Sequence, residues 1–373
     1  MTFRIQRTGS GDATVFTISG EIADGHEADL RALLDAGTAR TIVLDLAELT
    51  VVDRSGVLLL AGYEACGAVL ANCPGYVRAW IDKETQETGM TIARESVARE
   101  DTFTGTGGLR VFYRAWRPAD TARAVIVIVP GFNSHSGYYE WAAGQLTATR
   151  VAVYAVDLRG RGKSDGDRFY VDSFDEYLSD VDGVVNVARS HEPGLPVFLL
   201  GHSAGGVLAC LYALEHQARL AGLLCESFAF QTPAPDFALA ALKGLSHLFP
   251  HAHVLHLKNE DFSRDAEIVQ AMNADPLIAH ETQPTQTVAE LVRADERLKQ
   301  AFPHITLPVM ILHGTADRAA KVSGSQMFND AVGAKDKTLK LYAGGFHDLL
   351  NDLDKRTVMA DITAWIEAHL PNR

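Results

Sequence analysis

"LPVFLLGHSAGGVLACLYALEHQ", residues 195 to 217, joins an unbroken apolar run to a segment with helical spacing through a serine flanked by glycines. "VFLL" has the length and continuity of a strand buried on both faces. Beyond the turn, Val207, Leu208, Leu211 and Tyr212 fall on one helical face. Gly201, Ser203 and Gly205 satisfy Gly-x-Ser-x-Gly. In such a turn the glycines let the backbone bend sharply and the helix pack close, while N–H groups at the helix start face a developing negative charge. A pattern this short also arises by chance, so its meaning rests on whether the remaining chain supplies a parallel sheet and a base.

On both sides of this stretch the same strand-then-helix alternation recurs. "AVIVIVPG" (124–131), "RVAVYAVDLRG" (150–160), "LAGLLCES" (220–227), "LPVMILHG" (307–314) and "KTLKLYAGG" (337–345) are continuous apolar runs separated by helical segments. That predicts a parallel sheet covered on both faces, with chemical groups gathered at the carboxyl ends of its strands. A serine hydroxyl needs a base to remove its proton. Of the 14 histidines, His347 follows a predicted strand and the Gly344-Gly345 pair, and it comes after the serine and an acid, the chain order such a triad uses. Asp317, ending the strand "VMILHG" and lying between the two, is the first choice for the acid that orients the imidazole, and Glu226 is the second. The loop "VPGFNSHSGYY" (129–139) follows the first strong strand, which makes the backbone N–H groups of Phe132 and Ala204 the candidate oxyanion donors.

With these motifs in place, residues 99–370 resemble an α/β-hydrolase of the monoglyceride lipase and lysophospholipase type. "VDLRGRGKSDGDRFYVDSFDEYLSD" (156–180), "GHSAGG", "NADPLI" (273–278), "LHGTAD" and "GGFHDLLND" are similar to that family's conserved segments, elbow, cap exit, acid and base. Two positions depart: Arg161 and Pro130 stand where the family commonly has histidine. The resemblance implies a helical cap at about 228–303, a monoacylglycerol or other single-chain ester as substrate, and no cofactor. Within the cap, "PDFALAALKGLSHLFP" (235–250) carries Phe237, Leu239, Leu242, Leu245 and Phe249, read as a lid helix that lines an apolar acyl pocket.

The first 82 residues read as a separate small α/β unit. Strands are expected at 13–20, 41–49 and 75–81, and helices at 28–36 and 55–70. The run "LDLAELTVVDRSGVLLL" (44–60) resembles the signature of the sulfate transporter and anti-sigma factor antagonist (STAS) domain. The family's phosphorylated serine corresponds to Arg54, which cannot accept a phosphoryl group, and Ser55 is expected to cap the helix instead. This resemblance implies a role in self-association or partner binding. The polar stretch 83–100 is read as a linker and 101–373 as the hydrolase domain.

The 373 residues are 47% hydrophobic and 22% charged, an ordinary globular composition. A net charge of −13 without a basic run excludes nucleic acid as a partner. No secretory signal and no membrane span are evident, which points to a cytoplasmic address. Four cysteines (Cys66, Cys73, Cys210, Cys225) in apolar contexts read as buried thiols. "RGRGKSDG" (159–166) lacks the leading glycine of a phosphate loop, Asp157 standing there, and His251, His253 and His256 in "HAHVLHL" fit no zinc motif, so no metal is assigned. The resulting expectation is a serine carboxylic ester hydrolase working through an acyl-enzyme. Its rivals are a lactonase or acyltransferase on the same residues, and a signalling adaptor with an inert hydrolase fold.

Overall fold

The structure is a computed structural model that describes residues 4–10, 13–22, 41–65, 68–87, 98–230 and 236–371. The chain divides into two compact units, Met1–Ser96 and Val97–Arg373.

In the first unit a four-stranded sheet runs in the order β1 (Arg4–Ser10), β2 (Ala13–Ile22), β3 (Thr41–Val52), β4 (Val69–Ala71). The β1/β2 pair is an antiparallel hairpin, and the other two pairs are parallel. Phe16, Ile18, Leu44, Leu46, Val57, Leu60, Val77 and Ile81 form its core. Three expectations change here. Residues 75–81 belong to a helix, Gly75–Glu87, rather than a strand, because Val77 and Ile81, one helical turn apart, are the positions that bury. The helix expected at 55–70 spans Arg54–Ala65, and Val69–Ala71 pairs with β3 as a strand. The cap of that helix is Asp53, not Ser55: its carboxylate accepts the Gly56 N–H at 2.8 Å and the Ser55 hydroxyl at 2.7 Å. A Cβ on Gly56 would stand 2.7 Å from Ile22 and Val52 side-chain carbons, so glycine is what lets this helix lie on the sheet. The helix expected at 28–36 lies outside the described residues.

The second unit is built on an eight-stranded sheet. Its strands are β5 (Arg99–Thr104), β6 (Arg110–Trp116), β7 (Ala124–Val129), β8 (Val151–Val156), β9 (Val197–His202), β10 (Gly222–Glu226), β13 (Val309–Gly314) and β14 (Lys337–Tyr342); a separate antiparallel ribbon pairs β11 (His253–Leu255) with β12 (Gln283–Pro284). The order across the sheet is β14-β13-β10-β9-β7-β8-β6-β5, with β5, β6 and β8 joined antiparallel and the rest parallel. β5 begins inside the stretch read as linker. Both faces are covered, as β7 shows: Val125, Val127 and Val129 enter one core with helices Phe174–His191 and Ala204–His216, while Ile126 and Ile128 enter another with helices Glu140–Ala148 and Lys355–Ala368. Chain order reverses between β7 and β9, and in a sheet of this kind the crevice opens at the carboxyl ends of such neighbours. Between β10 and β13 the chain makes the helices Asp236–Ser246, Ala266–Ala274 and Thr285–Ala301 and the ribbon. In the first of these helices Leu239 and Leu242 are half-buried, whereas Phe237 and Leu245, like Phe249 beyond its end, are exposed.

Cys210 and Cys225 are buried thiols 3.6 Å apart, and Cys73 is half-buried and free. Cys66 lies outside the described residues. Among the described residues no helix is long and apolar enough to cross a membrane.

Candidate active site

Ser203 follows β9 directly and holds a left-handed backbone at φ 56°, ψ −121°. The bend is fixed by close packing rather than by propensity. A Cβ on Gly205 would stand 2.1 Å from the Val129 carbonyl oxygen, and one on Gly201 2.3 Å from the Gly205 carbonyl oxygen. The Ser203 N–H donates to the Glu226 carbonyl at 2.9 Å, tying the elbow to the next strand.

The loop after β7 crosses this elbow. A Cβ on Gly131 would lie 2.7 Å from Ser203 Cβ and 3.3 Å from the Ala204 nitrogen, so the Phe132 and Ala204 amides border the same space. Ala204 opens its helix, where N–H groups have no partner in the helical ladder.

His347 and Asp317 sit at the ends of β14 and β13. His347 Nδ1 lies 2.8 Å from Asp317 Oδ2, and both side chains are buried. Asp317 also accepts the Ala319 and Ala320 N–H groups at 2.8 and 2.9 Å. Burial acts to raise its carboxyl, but the His347 and His313 imidazoles and the Ala320 amide outweigh it and hold the group well below the usual carboxylate range. With Nδ1 on the aspartate, His347 Nε2 is left buried and without a hydrogen-bond partner, so Ser203 Oγ does not bond it in this structure. The His202 ring, next in chain to Ser203, lies 5.0 Å from the His347 ring, and Phe262 packs edge-on against His347 at 4.9 Å. Hydroxyl–imidazole contacts of this kind are commonly loose without substrate. Glu226, the second candidate acid, forms no hydrogen bond with a His347 ring nitrogen; its Oε1 accepts the Leu350 N–H at 3.2 Å.

Several contributors were not singled out in the sequence. His313 Nδ1 is 2.7 Å from Ser325 Oγ, and its Nε2 lies 3.1 Å from Asp317 Oδ2, out of hydrogen-bond alignment; its place four residues before Asp317 is the only local signal. Glu281 joins the loop after β7 to the segment after β10. Its Oε1 accepts the Asn133 N–H at 3.0 Å and the Gln283 amide at 2.7 Å and pairs with Arg161, whose guanidinium lies 4.4 Å over the Phe132 ring. Arg161 therefore acts as a strut under the loop after β7. Asp275, within "NADPLI", accepts the Tyr138 hydroxyl at 2.8 Å and lies 2.8 Å from His135 Nε2.

The motifs set aside in the sequence take structural places. The Asp157 carboxylate accepts the Ser136 and Lys163 N–H groups at 2.7 and 2.8 Å, so a side chain of the protein fills the "RGRGKSDG" turn. His251 stacks on Tyr170, His253 meets the Thr282 carbonyl and His256 the Glu281 carbonyl; the three do not converge.

Strand order and the serine elbow place the molecule among the α/β-hydrolases. Residues 120–354 match the family model described as serine aminopeptidase, S33 (Hydrolase_4). The chain is 32% identical over 277 residues to a monoacylglycerol lipase of Mycolicibacterium smegmatis, covering 74% of this chain and 99% of that protein. It is 34% identical over 264 residues to the monoglyceride lipase of Homo sapiens, covering 69% and 87%. The solved monoacylglycerol lipase of Paleococcus ferrophilus superimposes with a TM-score of 0.63 at 28% identity, covering 69% of this chain and 99% of that one. The chain belongs to this family of serine hydrolases, in its monoglyceride-lipase-like group.

Proposed function

We infer that the protein hydrolyses carboxylic esters through an acyl-enzyme, with Ser203, His347 and Asp317 as nucleophile, base and orienting acid and the Phe132 and Ala204 amides as oxyanion donors. The observation that carries this is the buried His347–Asp317 pair at 2.8 Å, at the same carboxyl end of the sheet as a serine in a left-handed elbow. Ser203 Oγ attacks the ester carbonyl as His347 Nε2 takes its proton. Asp317 keeps the other proton on Nδ1 and offsets the imidazolium charge. The tetrahedral oxygen draws on the two amides, each worth about 3 kcal/mol to the transition state. The alcohol leaves with the proton from His347, and water then enters by the same route and releases the acid.

The substrate class we assign is a single-chain ester such as a monoacylglycerol, supported by the names of the relatives and by the part-buried apolar residues of helix Asp236–Ser246. For residues 1–82 we propose a STAS-like domain that serves self-association or partner binding. Its support is the mixed sheet and the Asp53-capped helix at the motif the sequence singled out. The test is a panel of aryl esters of rising acyl length, monoacylglycerols and lactones run on wild type and Ser203→Ala. Ester turnover lost in Ser203→Ala is expected; equal turnover by both proteins, or reaction with lactones alone, sinks the assignment.

A further inference from the structure

Behind the His347 imidazole lies a second group of titratable side chains that the ester chemistry leaves unused. His202, Glu226 and Asp348 are fully or nearly fully buried, and one ligand-type atom from each lies within 4.8 Å of the others. Glu226 Oε2, Asp348 Oδ1 and both ring nitrogens of His202 have no hydrogen-bond partner. His202 and Glu226 face each other in register on β9 and β10, while Asp348 arrives on the loop after β14. Two carboxylates placed this close in an apolar setting cannot both keep their charge without a cation. Among the described residues no lysine or arginine is among the groups that act on them; the imidazoles beside them are His202, His313 and His347. Burial, with the neighbouring His347, pushes the His202 imidazole down to about 3, so it is neutral. Asp317 and Asp352 are acids, and Tyr138, Tyr139 and Tyr342 are phenols raised by burial. The His347 imidazole pulls the Asp348 carboxyl down, but burial outweighs it and the group stays raised.

Glu226 also stands between the two halves of the site. Its backbone carbonyl accepts the Ser203 N–H at 2.9 Å, and its side chain accepts the N–H of Leu350, three residues past His347. Asp348 braces the same loop: its N–H donates to the Phe262 carbonyl at 2.8 Å, and its Oδ2 accepts the Asn351 amide at 3.0 Å.

We propose that Glu226 and Asp348 share one proton, and that the resulting pair is a clasp setting the His347 loop against the serine elbow. Both are positioning residues. The kinetic half of the inference rests on the function proposed above; the shared proton does not. A divalent cation among the same three groups is the competing reading. It would put two positive charges beside an imidazole that must itself become cationic, which opposes the acyl-transfer steps.

The sign of the pH effect follows from linkage. Burial raises both carboxyls, and the Asp348 charge raises Glu226 further. From the unfolded carboxyl range of about 4 up to the raised native value, the folded chain holds one proton more than the unfolded one, so stability falls as pH rises through that window. Glu226→Gln keeps an acceptor for the Leu350 N–H and offers an amide hydrogen in place of the shared proton. In urea unfolding of the full chain from about pH 5 to 9, the unfolding constant of wild type should rise relative to Glu226→Gln by up to tenfold per pH unit. Parallel curves overturn the proposal, as does a stoichiometric metal found in wild type by elemental analysis and lost in Glu226→Gln. Asp348→Asn gives the same comparison should the glutamine variant not fold. Wild type alone should show a protonated-carboxyl infrared band near neutral pH, and its absence overturns the proposal without any variant. For the clasp, Glu226→Ala should lower kcat by 10-fold or more beyond Glu226→Gln with a smaller change in KM; equal kcat in the two overturns it. If Ser203→Ala still turns over substrate, the catalytic reading fails while the unfolding curves and infrared band stand as measured.

Discussion

At Asp317 burial and neighbours pull in opposite directions, and the neighbours win: two imidazoles and two backbone amides keep the carboxyl ionised in a dry site. A carboxyl depressed on folding contributes stability above its unfolded value of about 3.9, and that contribution is lost as pH falls toward the native value. Asp317→Asn removes this linkage, so the acid limb of its unfolding curve should be shallower than that of wild type. The same change leaves His347 without an acceptor to fix its tautomer, and kcat should drop by about 10⁴ at neutral pH; a loss under tenfold would put the acid elsewhere. Ser203→Ala should cost on the order of 10⁶ in kcat while the circular dichroism spectrum stays native. Glu281 is the test away from the triad. Removing it strands the buried Arg161 guanidinium and the Asn133 N–H, a class of change that costs about 3–5 kcal/mol. Glu281→Ala should therefore lower the urea midpoint and, because the loop proposed to hold the oxyanion loosens, lower kcat more than it raises KM. An unchanged midpoint would show that Arg161 does not strut the loop.

The elements of the site owe their shape to contact distances that forbid side chains. At Gly205 a methyl would meet the Val129 carbonyl oxygen at 2.1 Å. Gly205→Ala should destabilise the second unit by at least about 1–3 kcal/mol in urea titration, with esterase activity falling in parallel, because the β7 loop and the elbow helix must separate. Much of this level was legible in the sequence because parallel strands buried on both faces announce themselves as apolar runs, and each such run from 124 to 345 is a strand. β5 was not legible: "REDTFT" is an antiparallel edge whose best-covered residues are only half-buried, so it carries no hydrophobic signature. The helix at Gly75–Glu87 was misread because a short apolar run satisfies a strand pattern and a helix pattern alike. Glu281 and the His202–Glu226–Asp348 group escaped for a different reason. Their meeting depends on strand register and on a loop returning from far along the chain, neither of which leaves a local pattern.

Across the whole molecule the division of labour follows the division of cores. Phe16, Leu44, Val57, Leu60 and Ile81 pack among themselves, the larger unit has two large cores and a small one around Phe262, Met272 and Ile278, and every residue assigned to chemistry lies between 131 and 351. Because the residues assigned to chemistry all lie in the second unit, turnover is expected not to need the first. A chain beginning at Val97 should fold, react with an active-site serine probe and keep the kcat/KM of the full protein on a short aryl ester. What it should lose is association. Run side by side in light scattering, the full chain should have the larger particle mass relative to its sequence, or should capture a partner that the shorter chain does not. Should the two chains match in both turnover and association state, with no partner captured by either, the proposed role of residues 1–82 fails. A loss of turnover in the shorter chain would instead make the first unit part of the enzyme.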